Sequence, residues 1–177
     1  MKIYILAISL ILFVPLQIQA IHFDKLNTKD GLAHPSVLTI TQDSLGRIWF
    51  GTAEGISVYD GNTITSYKPG PDTNSNSSFK GSIVSNIVCN AKGDLFFQTS
   101  EALIKHDIHK RTFQSIQDKG GLPLYSRQDT IWVVVNHTLY RWDENKEELI
   151  PQIEKLPTAN TRSLVIDNKG RKWFSYY

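Results

Sequence analysis

The chain has 177 residues, with Lys+Arg 19 against Asp+Glu 17, a formal net charge of +2 and aromatics at 11%. That length allows one domain with a real core. The near-balanced, scattered charge excludes a nucleic-acid partner held by phosphate neutralisation, since the densest basic cluster is only His109-Lys110-Arg111.

The first element is a targeting signal. Lys2 is a short positive region and Ile3 to Leu16 is almost wholly apolar. That run is too short for a comfortable membrane span and has the length of a signal-peptide core. A signal peptide over residues 1–20 is expected, cleaved after Ala20, which leaves a mature chain from Ile21. The single cysteine, Cys89, excludes an intramolecular disulfide. It lies in the apolar run Ile83 to Cys89 and reads as a small core residue, not a nucleophile.

From Val37 the sequence reads as short strands joined by tight turns. Val37 to Gln42, Arg47 to Thr52, Ile56 to Tyr59 and Thr63 to Tyr67 are four predicted strands. The turns between them are Asp43-Ser-Leu-Gly46, Ala53-Glu-Gly55 and Asp60-Gly-Asn62. Pro69 to Ser78 has the composition of a loop. The pattern then returns 47 residues on: Asn90 falls on Asp43, Gly93 on Gly46, Phe96 on Trp49 and Asp107 on Asp60. Its first strand is predicted over Ile83 to Cys89 and its last over Thr112 to Ile116. In a third copy Trp132 follows Phe96, and Asp143 follows Asp107, by the same 36 residues. A fourth opens with Thr161 to Asp167, turns at Gly170 and reaches Trp173 before Tyr177. The best helix candidate, Glu144 to Lys155, is interrupted by Pro151.

A unit of four strands recurring at about 35 to 50 residues is the signature of a propeller blade. The expected fold is all-β, a partial β-propeller of about three and a half four-stranded blades. The expected domains are the leader at 1–20 and an incomplete propeller at 21–177, with blades at about 34–68, 82–117, 122–150 and 160–177. In each blade the Asp accepts hydrogen bonds from turn N–H groups and the Gly takes positive φ. The Trp or Phe fills one fixed position and packs against the next sheet.

The stretch Phe23-Asp-Lys-Leu26, Asp30-Gly-Leu32, Ser36-Val37, Gln42-Asp43, Gly46, Ile48-Trp-Phe-Gly-Thr52, Gly55 and Tyr59-Asp-Gly61 resembles the opening of a two-component regulator propeller. Such propellers form the sensor halves of hybrid two-component systems in Bacteroidetes. The resemblance covers about residues 22–177 and is strongest over 23–67. It implies an extracytoplasmic ligand-sensing module of a sensor histidine kinase, responding to oligosaccharides and controlling polysaccharide-utilisation genes. It also implies periplasmic placement, an inner-membrane anchor and a homodimer in the full-length protein, with no catalytic domain in this segment. The chain stops in mid-repeat, so it reads as the truncated N-terminal piece of such a sensor. Two rivals remain: an enzyme on a propeller, such as a lyase or glycosidase, or a non-signalling interaction propeller. The enzyme predicts clustered acids or histidines that break the repeat rule.

Asp43, Asp60, Asp107, Asp143 and Asp167 recur at matched positions, and a turn is needed in every blade whereas a catalytic pair is needed once. They read as turn residues. His106 and His109 stand three apart, but at a predicted strand end and with no third ligand, so they read as solvated surface residues and not as a metal pair. His22, His34 and His137 are isolated. Trp49, Trp132 and Trp173 occupy the repeat's packing position, and Trp142 stands beside an exit turn. No catalytic, cofactor or metal residue is assigned and no ligand-binding residue is named; no nucleic acid or cofactor is expected.

Overall fold

In a computed structural model, the described residues are 23–70, 78–118, 121–127, 130–153, 155–156 and 161–176. The leader, His22, most of the Pro/Asn/Ser loop and Tyr177 lie outside them. The architecture is all-β. Fourteen strands form four antiparallel sheets among these residues. The first sheet holds β1 (Val37–Gln42), β2 (Ile48–Thr52), β3 (Gly55–Tyr59) and β4 (Ile64–Tyr67) in chain order. The second holds β5 (Asn86–Cys89), β6 (Leu95–Gln98), β7 (Ala102–Asp107) and β8 (Thr112–Asp118). The third holds β9 (Leu122–Arg127), β10 (Thr130–Val135), β11 (Thr138–Asp143) and β12 (Glu148–Ile153), and the fourth β13 (Thr161–Ile166) and β14 (Lys172–Tyr176).

Every sheet is a meander, because each connection is a hairpin. The first strands then pack in succession, β1 against β5, β5 against β9 and β9 against β13. That places the leading strand of each sheet along a common inner edge, as in a propeller. The turn chemistry is reproduced almost atom for atom. Asp43 N–H donates to the Arg47 carbonyl and Gly46 N–H to the Asp43 carbonyl, both at 3.0 Å, and Asp167 and Gly170 repeat both bonds at 3.0 Å. Gly46 and Gly170 take φ of 81° and 77°, where a Cβ would be strained. The bulge also recurs: the ladder slips between Val37 and Thr39 in the first sheet and between Thr161 and Ser163 in the fourth.

The core consists of layers between sheets. Side chains alternate across a strand, so adjacent residues serve different layers. Phe97 joins Trp49, Ile56, Phe79 and Phe113 between the first two sheets, while Phe96 joins Ile131, Val133 and Trp142 between the second and third. Val134 and Leu139 then pack with Leu164 against the fourth, with Trp132 beside them. At Gly51 a Cβ would stand 2.7 Å from the Val84 carbonyl oxygen, so the second sheet's approach to β2 requires glycine.

The expected strands are present with small differences. The strand expected from Ile83 begins at Asn86, and Val84 N–H bonds outward to the Thr52 carbonyl of the first sheet. The strand expected to end at Ile116 runs on to Asp118. The stretch weighed as a helix, Glu144 to Lys155, contains β12. Pro151 sits there opposite Tyr140, next to a register shift and on the sheet's outer strand, where a missing N–H is tolerated.

Candidate functional site

The recurring carboxylates are committed to their own turns. Asp60 accepts from the N–H groups of Asn62 and Thr63, Asp107 from those of His109 and Lys110, and Asp143 from those of Asn145 and Lys146. Asp43 does more. One oxygen accepts from Leu45 N–H at 2.9 Å and Arg47 N–H at 3.0 Å; the other accepts from Arg47 Nε at 2.7 Å and the Trp49 indole at 2.8 Å. Burial pushes its carboxyl up, but the Trp49 and Arg47 hydrogen bonds outweigh that, and it is held below the usual carboxylate range. The phrase Asp-x-x-x-Arg-x-Trp is therefore one hydrogen-bonded unit. Sequence reasoning treated its turn and its tryptophan separately.

The second copy shows the same logic by substitution. Phe96 has no indole N–H and Asp94 replaces the arginine, so Asn90 needs only one acceptor, which takes Asp94 N–H at 2.8 Å. Asp94 turns to Lys105 at 3.6 Å, and Lys105 Nζ lies 2.6 Å from Glu144 of the third sheet. Glu144 also accepts from the Trp142 indole at 2.8 Å. Trp142 is buried, and its role is this junction between the second and third sheets. Lys105 is buried as well, a feature the sequence did not signal. Burial alone would lower its pKa, but Glu144 and Asp94 carry it upward.

Two sequence expectations are corrected. His106 is not a solvated surface histidine: it is 2% exposed. It stacks on Phe113 at 4.4 Å between ring centres and meets Trp49 at 5.4 Å and Tyr67 at 6.0 Å. Its position on β7 turns it into the layer between the first two sheets. Burial, reinforced by the Arg47 charge, lowers its pKa, so the ring is neutral, and Nδ1 donates to the Thr112 carbonyl at 3.1 Å. His109, by contrast, is exposed. The second correction is Trp173, which is not packed against a further sheet among the described residues and is 59% exposed. Trp49 is buried and Trp132 half-buried, each facing the following sheet. His34 accepts from Ser36 N–H, and His137 is exposed with φ of 67°. Burial pushes the Cys89 thiol up to about 11, far from thiolate reactivity at neutral pH. Among the described residues no group of three or more His, Cys, Asp or Glu is placed to hold a metal ion.

A feature with binding character is a cleft of about 250 Å³ between the first and second sheets. Arg47, Trp49, Asp60, Tyr67, His106 and Arg111 line it. They come from the first turn, β2, the β3–β4 turn and β4 of one sheet and from β7 and the last hairpin of the next. The Arg47 guanidinium lies 5.4 Å from the Trp49 ring centre, and its Nη2 is buried with no hydrogen-bond partner among the described residues. Arg111 holds a left-handed φ of 56° at its hairpin. The sequence named none of these as ligand residues, because Arg47 and Arg111 lie 64 positions apart and only the stacking of two repeats joins them.

Residues 31–54 match the two-component regulator propeller family. A 43-residue stretch is 42% identical to histidine kinase P4 of Formosa agariphila, covering 24% of this chain and 3% of that protein. The fold is shared with the extracellular domain of a hybrid two-component system of Bacteroides thetaiotaomicron, at a TM-score of 0.73 and 20% identity over 86% of this chain and 24% of that one. A second such domain from that organism matches at a TM-score of 0.69 and 14% identity, over 90% of this chain and 23% of the other. The chain thus spans about a quarter of the length of these solved structures. No helix among the described residues is long and apolar enough to cross a membrane. A two-component regulator propeller repeat thus lies at the first sheet, and the chain shares the all-β propeller fold of these extracellular domains.

Proposed function

We propose that this chain is part of the extracytoplasmic, ligand-sensing propeller of a hybrid two-component sensor histidine kinase. Its ligands are oligosaccharides and its output is expression of polysaccharide-utilisation genes. The observation that carries the reading is the family match at residues 31–54, joined to a fold shared with extracellular domains of hybrid two-component systems. The leader at 1–20 directs export to the periplasm, an anchor in the inner membrane follows in the full-length protein, and two copies pair there. Signal passes as a change in the relative placement of propellers, and the kinase chemistry belongs to other parts of that protein. The turn commitments of Asp43, Asp60, Asp107, Asp143 and Asp167 favour this reading over a propeller enzyme, whose acids would break the repeat pattern.

The test has two arms. The DNA downstream of codon 177 is expected to continue in frame through further Asp-x-x-Gly-x-x-Trp units to a membrane helix and a kinase. The complete ectodomain is then screened by thermal shift against an oligosaccharide library. A ligand at 100 times its Kd adds about 2.7 kcal/mol, an easily read rise in Tm. A kinase-free gene, or an ectodomain that no oligosaccharide stabilises, overturns the reading.

A further inference from the structure

We propose that the cleft between the first and second sheets is a binding site for one neutral, hydroxyl-rich ring, a monosaccharide or the end residue of a longer sugar. This deepens the oligosaccharide reading and rests on it, but it assigns a place and a set of residues. Size comes first. At about 250 Å³ the cleft falls just under the ~300–1,000 Å³ range of drug-sized sites. It takes one small ring and not a chain.

Charge selects next. Two guanidiniums, Arg47 and Arg111, are matched by two carboxylates. Asp43 is buried behind Arg47 and fully hydrogen-bonded, and Asp60 lies in the lining. A cleft so balanced has no net charge with which to recruit an ion. It offers donors and acceptors side by side, which is what a hydroxyl group, both donor and acceptor, requires.

The inventory of free capacity agrees. Arg47 brings its guanidinium to the lining, although its Nη2, itself buried, is not an atom a ligand meets. Arg111 has no ion-pair partner among the described residues. Asp60, which lines the cleft, uses one oxygen for two turn N–H groups and the other for the Thr63 hydroxyl at 3.1 Å, which leaves it acceptor capacity. Tyr67, half-buried and stacked on the buried Trp49, gives the apolar wall against which the C–H face of a sugar ring packs. His106 with Phe113 behind it closes that wall.

The test uses the 177-residue chain and saturation-transfer NMR with D-glucose, D-galactose, D-mannose, L-arabinose and D-xylose, followed by titration of any sugar that receives saturation. Asp60→Asn keeps an acceptor for the turn, and Arg111→Asn keeps a residue that tolerates left-handed φ, so both variants retain the fold; thermal melting verifies it. Each is expected to weaken binding about tenfold, the loss of one hydrogen bond to a charged group. Asp118→Asn, at the opposite end of β8 from Arg111, is expected to leave it unchanged. Binding that is indifferent to Asp60→Asn and Arg111→Asn overturns the cleft while leaving sugar sensing intact. Absence of binding by any of the five also overturns the cleft proposal, whereas the ectodomain screen judges the oligosaccharide reading separately.

Discussion

The first and fourth sheets carry the same phrase in two environments. Asp43, Arg47 and Trp49 form their unit under the second sheet, where Trp49 is 1% exposed. Asp167, Arg171 and Trp173 form the same unit with Trp173 59% exposed. The hydrogen bonds hardly differ near the turn: Arg Nε reaches the carboxylate at 2.7 Å in one and 2.6 Å in the other. Only the indole bond loosens, from 2.8 to 3.4 Å. The unit is therefore local, made by one hairpin from its own residues. Packing against the next sheet tightens its far end and adds the hydrophobic contribution. In both, the guanidinium also lies over the indole, at 5.4 and 5.6 Å.

The sharpest way to break that comparison is to remove each tryptophan. Trp49→Ala opens a cavity against Tyr67, His106 and the second sheet, and is expected to cost about 3–5 kcal/mol. Trp173→Ala removes an exposed ring and is expected to cost less than about 1 kcal/mol. Urea unfolding of both variants, at matched m-values, measures the difference. Equal losses would mean that the ring's local bonds, and not its burial, carry its contribution.

A smaller effect separates the carboxylates. Asp43→Ala strands the Trp49 indole N–H and the Arg47 guanidinium in a buried layer, at an expected cost of about 2–3 kcal/mol. Asp167→Ala leaves its partners open to water and is expected to cost distinctly less. The second copy supplies a rescue. Asn90 with Phe96 is a working pair that lacks both the charge and the indole, so Asp43→Asn is expected to cost less in a Trp49→Phe background than alone. A double-mutant cycle reads this coupling. Strict additivity would deny that Asp and Trp form one unit.

The repeat was legible because its parts are local. The Asp-x-x-Gly turn, the Trp or Phe that follows it and the short strands between turns each depend on a hairpin's own geometry. From them came the strands, the propeller and the resemblance. What the sequence concealed depends on stacking. His106 looked like half of a surface pair with His109, yet one residue of strand alternation and a second sheet bury it. Lys105, an ordinary charged residue in sequence, is buried because Phe96 lies opposite it on the neighbouring strand and Glu144 arrives from the next sheet. The cleft joins Arg47 to Arg111 across two repeats, so no motif of either repeat contains it. Pro151 argued correctly against a helix but could not show that an outer strand would accommodate it.

The gentlest prediction concerns pH, and it separates the buried copy from the exposed one through His106. This ring touches Trp49 and has no counterpart beside Trp173. Burial, with Arg47, disfavours its protonation, and outweighs the Thr112 carbonyl, Asp107 and Asp94, which favour it. Its folded pKa lies below the ordinary 6.5, so the unfolded chain binds a proton more readily as acid is added. Stability contributed by the neutral ring is complete above about pH 6.5 and declines as pH falls from there to the folded pKa. The slope is at most about 1.4 kcal/mol per pH unit for one proton. Denaturant unfolding between about pH 7 and pH 5 should show this slope in the native chain. His106→Phe, which keeps a ring against Phe113 and Tyr67, should flatten it. A slope that persists in His106→Phe would deny that the buried ring carries the acid sensitivity and would remove this distinction between the copies, since the carboxylate turns, held below the usual carboxylate range, act only below about pH 5.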